Sequence, residues 1–317
     1  MTSRAARVHA GAGGAVAARA VALWRFTRPH TVIGTAASIA GLYVICVDAL
    51  PGVGLAGGIG NLAWTLLAGF CVNVYIVGVN QLEDIEIDRV NKPFLPLASG
   101  EMTTAAARRI VAVCAVIPVV LALTQGSVET VAVLAGLAVG TAYSKPPLRV
   151  KRYPALASLS ITAVRSVVVN LGVALHFTQS LGDGGWLVPG PVWALTLFVL
   201  PFSFAIAILK DVPDAEGDRR FRIATFTLRL GARRVMQIGL AAITAAYAGM
   251  GLVGTLLLDG CQPAVLACSQ LAAAAVLWRM SATTDPQDPA SFTRFYMGVW
   301  KLFFLEYALV PLAAVLG

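Results

Sequence analysis

Long apolar runs alternate with short polar ones along nearly the whole chain. Nine runs come close to or exceed the roughly 20 residues that carry a helix across a bilayer: 31–50, 62–81, 106–124, 128–144, 155–177, 191–210, 234–258, 262–280 and 296–316. The fourth is the shortest. None shows the ten-residue alternation of barrel strands. The pattern predicts an all-α integral membrane protein, a bundle of about nine transmembrane helices. Residues 21–317 read as a single transmembrane domain with no linker that would set off a second one. Residues 1–20 are rich in Ala and Gly, carry three arginines and lack the apolar core of a signal peptide. They read as a flexible cytoplasmic N-terminal tail, with a short surface helix as the alternative.

The basic residues sort cleanly among these runs. Of the 24 Lys and Arg, all but Arg165 fall in the N-terminal tail, in the loops after spans two, four, six and eight, or at the span ends beside them. The loops after spans one, three, five and seven have none. The positive-inside rule therefore places the N-terminus and the four basic loops in the cytoplasm and the C-terminus outside. Adding or removing one span would scramble this separation.

Composition agrees with a lipid solvent: 58% of residues are hydrophobic and 13% charged, against about 25% charged in soluble domains. The net charge of +8 then reads as loops facing an anionic membrane surface, not as a nucleic-acid footprint. The five cysteines show no CxxC pairing and mostly lie in apolar runs, so they predict neither a disulfide framework nor a zinc site. Nothing points to an obligatory protein partner.

The acidic residues are concentrated. Half of the 16 sit in two short stretches that hold similar places in the two halves of the chain: Glu83, Asp84, Glu86 and Asp88 after span two, and Asp211, Asp214, Glu216 and Asp218 after span six. This suggests a weak internal repeat. Asn80, Asp84 and Asp88 are spaced i, i+4, i+8, one face of a helix continuing from span two. Asp211, Asp214 and Asp218 are spaced i, i+3, i+7, although Pro213 and Gly217 argue for a kinked or unwound end to span six. Stacked carboxylates repel by about 4 kcal/mol at 4 Å and an effective dielectric near 20, so a cation is the natural occupant. All-oxygen ligands, one or two carboxylates per ion completed by phosphates, suit Mg²⁺. The absence of His and Cys argues against zinc. The bland alternative, a pair of solvated loop entrances, fits Glu83, Glu86 and Glu216 better than the matched aspartates.

Basic residues surround both clusters. Positive-inside bias alone accounts for most of them, but as a set they can also clamp a diphosphate. The preferred contacts are Lys145 and Arg219, followed by Arg28 and Lys92; Arg149, Lys151, Lys210 and Arg220 lie nearby in sequence. Arg165 is different, because an arginine at the centre of a span costs at least about 2.5–3.5 kcal/mol. It must face the bundle interior, either in a structural pair or in the active site. Asn170 lies further along the same run and could touch a polar acceptor. His176, near the far membrane face, reads as an interface residue.

The stretches NQLEDIEIDRVNKPFLPLASGEMT (80–103), TAYSKPPLRVKR (141–152), VRSVVVNLGVALHF (164–177) and AIAILKDVPDAEGDRRFRIATFTLRLG (205–231) resemble the UbiA-type intramembrane prenyltransferases, and most of all their homogentisate branch. The resemblance runs from about Trp24 to the C-terminus. It implies a nine-helix bundle around a central cavity open to the lipid, and Mg²⁺-dependent transfer of an isoprenoid from a prenyl diphosphate onto an aromatic acceptor. It implies a first metal site at Asn80, Asp84 and Asp88, a second at Asp211, Asp214 and Asp218, and diphosphate contacts from Lys145 and Tyr143. Asp84, Asp88, Asp214, Asp218 and Lys145 would then carry catalysis, with Arg165 or Asn170 orienting the acceptor. One departure is Lys92, where the wider family often has Arg before Pro. The nearest rival is a terpene cyclase of the same fold, needing no acceptor. A transporter is more remote, because transporters bind their cargo near the bilayer midplane. The Ala-rich composition points to a bacterial cytoplasmic membrane.

Overall fold

The computed structural model describes residues 12–317. Among the described residues there is no strand, and nine helices are long and apolar enough to cross a membrane: Pro29–Asp48, Ile59–Glu83, Thr104–Gln125, Ser127–Ser144, Pro154–Leu181, Gly190–Leu209, Ala232–Leu257, Pro263–Ala282 and Pro289–Val315. They coincide with the nine apolar runs to within a few residues, except that the ninth begins seven residues early. Its extra turns are more polar and are fixed by Asp288, whose side chain accepts from the amides of Ala290 and Ser291. Prolines open the first, fifth, eighth and ninth helices at Pro29, Pro154, Pro263 and Pro289, where the missing N–H costs nothing. Thr103 caps the third, its hydroxyl accepting from Ala106 N at 3.2 Å.

Of the stretch expected to be a flexible tail, residues 1–11 lie outside the described residues. From Ala12 the chain is already helical, and Ala12–Phe26 ends by burying Ala22 and Phe26.

Each span packs on its neighbours in the chain, and the ninth returns to the first, closing a ring. Spans one, two, four, five, six and nine line a central cavity, whereas three, seven and eight stand outside it. The sixth is the most buried of the nine, wedged between the fifth, seventh and ninth. Leu123, Val131, Leu257 and Leu271 are among the apolar side chains left exposed on the outer faces, where lipid is their solvent.

The second span does not continue unbroken through the first acidic stretch. It stops at Glu83, Asp84 leaves helical geometry (φ −116°, ψ 18°), and a short helix resumes over Ile85–Asn91. The second acidic stretch unwinds as its proline and glycine foretold: the sixth span ends at Leu209, and the chain turns through Pro213 before the helix Ala215–Arg220.

Candidate active site

The cavity, of about 630 Å³, has a polar mouth and apolar walls. Both acidic clusters meet at that mouth. The helices Ile85–Asn91 and Ala215–Arg220 pack against each other. Asn91 Oδ1 accepts from Gly217 N at 2.8 Å, and a Cβ at Gly217 would overlap the Asn91 side chain. Glycine is required there for close approach, not for backbone freedom.

All six predicted ligands, Asn80, Asp84, Asp88, Asp211, Asp214 and Asp218, line the cavity. Five cations face them. Arg28 Nη2 donates to Asn80 Oδ1 at 3.3 Å and lies 4.0 Å from Asp88. Arg149 Nη2 reaches Asp84 at 3.2 Å, and Lys151 pairs with the same carboxylate. Lys92 crosses from the first cluster to Asp214 of the second, and Lys210 Nζ lies 2.6 Å from Asp211. Asn80 Nδ2 also donates to Asp84 Oδ2 at 2.9 Å. Two of the arginines hold left-handed backbone, Arg28 at φ 53° and Arg149 at φ 37°, which costs a non-glycine residue about 1–2 kcal/mol. In both, this strained backbone precedes a guanidinium that reaches a cluster residue.

Despite these pairings the carboxylates remain crowded. Burial pushes Asp218 up to about 7, and the neighbouring Asp211 and Asp214 charges add to the shift. Asp88 is also raised, first by burial, with Arg28 and Lys92 pulling the other way. Its Oδ2 is buried without a hydrogen-bond partner. Burial is the largest single influence on Lys210 and would lower it, but Asp211, Tyr143 and Asp214 together more than reverse this and hold the ammonium well above its ordinary value.

Among the described residues, no three His, Cys, Asp or Glu side chains gather into a site that could close around a metal on their own. An ion at this mouth would need oxygens from elsewhere, which is how Mg²⁺ is ordinarily held with phosphates. The donor set contains only oxygens.

Several expectations need correction. Lys145 ends the fourth span with its side chain exposed and does not line the cavity. Its backbone turns extended, and Pro146, Pro147 and Leu148 carry the chain outward. The loop comes back to the mouth only at Arg149 and Lys151, so the loop does supply cations but not the one singled out. Arg219 also points away, 70% exposed and paired with Glu216 at 3.2 Å. One residue past Asp218 on a helix, it is rotated about 100° from the mouth. Asn170 is fully buried behind the wall, its Oδ1 accepting from the Tyr307 hydroxyl at 2.7 Å. Tyr143 and Arg165 do line the cavity. His176 is buried, not interfacial.

Arg165 opens a stretch of π-helix, Val164–Gly172, inside the fifth span. Such wide turns are rare and concentrate at functional sites. Its guanidinium lies 4.4 Å over the Trp300 ring and 5.7 Å from Phe303. Its Nη1 is buried with no hydrogen-bond partner. His30 packs edge-on to the same Trp300, at 5.1 Å. The cavity residues that went unremarked in the sequence include His30 and Trp300, Asn91 at the mouth and Glu129 at the far end. A carboxylate in the first turn of an apolar span was the available signal for Glu129.

The UbiA prenyltransferase family model matches residues 35–305. A homogentisate phytyltransferase of Synechocystis is 44% identical over 299 residues, covering 92% of this chain and 95% of the relative. A probable homogentisate phytyltransferase 1 of Oryza sativa is 40% identical over 297 residues, covering 92% and 72%. Among solved structures, a UbiA homolog of Archaeoglobus fulgidus bound to GPP and Mg²⁺ superposes with a TM-score of 0.63 at 17% identity, covering 92% of this chain and 99% of that one.

Proposed function

The chain belongs to the UbiA prenyltransferase family, and from that premise we propose that it transfers the prenyl group of a prenyl diphosphate to the ring of homogentisate or a closely related phenol. The observation that carries this reading is the polar mouth: two aspartate clusters and five cations at one end of an apolar, membrane-enclosed cavity. A diphosphate matches the mouth and an isoprenoid matches the walls.

The residues suit Mg²⁺. The Asp88 oxygen buried without a hydrogen bond, and the burial and neighbouring Asp211 and Asp214 charges that raise Asp218, both describe carboxylates that a further cation would stabilise. Asn80, Asp84 and Asp88 would hold one ion, and Asp211, Asp214 and Asp218 another. Bound Mg²⁺ supplies charge to the diphosphate oxygens as they become a leaving group. The chain's own cations do related work. Arg28, Lys92, Arg149, Lys151 and Lys210 now neutralise carboxylates, and each is placed to turn to phosphate oxygens once those carboxylates are otherwise engaged.

The allylic carbon–oxygen bond breaks and pyrophosphate departs with the electron pair. A ring carbon of the phenol donates its electrons to the allylic carbon. The ring then loses a proton; if instead the side-chain carboxylate leaves as CO₂ after the homogentisate pattern, the exocyclic methylene so formed takes up a proton as the attacked ring carbon gives up its own. Apolar walls keep water from the cation in the interval. Arg165, with its free Nη1, is the group that would receive the acceptor's carboxylate. Lys145, Arg219 and Asn170 take no part. The mouth faces the cytoplasm of a bacterial membrane, because the loops that build it carry the basic residues.

The test is a product assay. Membranes containing the protein receive Mg²⁺, a prenyl diphosphate and homogentisate or 4-hydroxybenzoate, and products are read by mass spectrometry. A Mg²⁺-dependent prenylated phenol is expected. A cyclic terpene formed equally well without phenol would assign the cavity to cyclisation instead.

A further inference from the structure

Transfer to an aromatic ring needs a group that can receive a proton from the attacked carbon, and the cavity holds few. Among the described residues lining it, the lysines and arginines already carry their protons, and phenols such as Tyr143 and Tyr296 ordinarily keep theirs at neutral pH. The aspartates are the proposed metal ligands. Glu129 and His176 pair with each other at the far end, Nε2 to Oε2 at 2.9 Å. His30 is left, and a neutral imidazole keeps one nitrogen with a free lone pair.

The local fold sets His30 between the two substrates. Arg28 holds a left-handed backbone at φ 53° and donates to Asn80 of the first aspartate cluster at 3.3 Å. Pro29 then opens the first span, and His30 follows, half-buried and lining the cavity. Among the described residues nothing hydrogen-bonds its ring. That ring meets Trp300 edge-on at 5.1 Å, and the Arg165 guanidinium lies 4.4 Å over the same Trp300. His30 and Arg165 are therefore at most about 9.5 Å apart, the sum of the two separations. An aryl acetate whose carboxylate rests on Arg165 brings its ring to His30, while Arg28 stands at the diphosphate end.

We propose that His30 is the base that takes the proton from the attacked ring carbon. This rests on the transferase reading above. As the ring carbon bonds to the allylic carbon it becomes tetrahedral, and its proton becomes strongly acidic. The imidazole takes that proton, and the pair of the broken carbon–hydrogen bond restores the aromatic ring. With a simple phenol, the imidazolium then passes the proton to solvent at the polar mouth. With loss of CO₂, the imidazolium returns it to the exocyclic methylene, which becomes a methyl group, and His30 ends neutral. One nitrogen thus serves both proton movements.

The experiment compares wild type, His30→Ala and His30→Gln with homogentisate, plain and deuterated on the ring, at saturating donor and Mg²⁺. Loss of a positioned base should lower kcat at least about 100-fold, with KM for homogentisate within about threefold. Added imidazole should restore kcat of His30→Ala at least about tenfold. Ring deuterium should slow His30→Gln at least about twofold more than it slows wild type, because proton removal has become the slow step. A support for Trp300 and nothing more would give neither response. A monodisperse peak in detergent shows which variants fold, and each carries its own readout, so one folded variant is enough. A folded variant with kcat within threefold of wild type overturns the assignment, as does a loss in a folded variant that its own readout, imidazole or deuterium, leaves unmoved; both leave the transferase reading standing. No prenylated phenol from wild type overturns the transferase reading, and the base with it.

Discussion

Replacing Arg165 by methionine should separate acceptor recognition from donor chemistry. The guanidinium sits over Trp300 at 4.4 Å, and its Nη1 is buried without a partner. If Nη1 receives the acceptor's carboxylate, its loss removes a charge-assisted hydrogen bond of about 1.5–3 kcal/mol. That is roughly a 10- to 150-fold fall in kcat/KM for homogentisate. Stability should move little. The cation–π contact contributes up to about 2 kcal/mol when desolvated, while removing a mid-span arginine returns about 2.5–3.5 kcal/mol, a net change within about 2 kcal/mol in favour of the variant. The assay is steady-state kinetics against homogentisate and against a phenol of similar size without the carboxylate, at saturating donor. The predicted fall appears with homogentisate alone, and the variant melts no lower than wild type. An equal loss with both acceptors would refute the reasoning, because it would make Arg165 a support for Trp300 and nothing more.

Other consequences follow from the mouth. Asp218, raised from 3.8 to about 7, binds its proton more tightly in the folded than in the unfolded chain. Stability of the metal-free protein should therefore fall as pH rises from about 4 to 7 and level off above, an effect absent in Asp218→Asn. Because the ion needs the carboxylate, apparent Mg²⁺ affinity should drop up to about tenfold per pH unit below 7, read from Mg²⁺ titrations of activity at pH 6 and 8. Lys151→Ala should lower kcat/KM for the donor by about 10- to 100-fold, whereas Lys145→Ala, altering an exposed side chain, should stay within about twofold in the same assay. Gly217→Ala puts a Cβ against the Asn91 side chain and displaces it from Gly217 N, and should cost about 1–3 kcal/mol in thermal unfolding and lower kcat.

The bundle was legible because a bilayer imposes one length and one polarity rule on every span, and the distribution of Arg and Lys counted the spans a second time. The aspartate clusters were legible because like charges at helical spacing demand an explanation. Direction within loops was not. Nothing in YSKPPLRVKR says that Lys145 points out while Arg149 and Lys151 return; that depends on a left-handed residue and a tight turn at Val150–Arg152. Arg219 beside Asp218 shows the same blindness, since one helical step turns a residue from mouth to solvent. Asn170 and Arg165 share a span, yet a π-helical stretch changes the angular step between them, so a regular helical wheel misplaces the pair. Asn91 gave no signal, because its role depends on a glycine that lies far along the chain.

The decisive measurement is Mg²⁺-dependent release of pyrophosphate from a prenyl diphosphate by wild type, Asp84→Ala and Asp218→Ala proteins. Each variant should fold with a normal gel-filtration profile and lose turnover, since each removes a proposed metal ligand from a different cluster. Near-normal release by both folded variants would contradict the assignment of the mouth as the place where the diphosphate is held and broken.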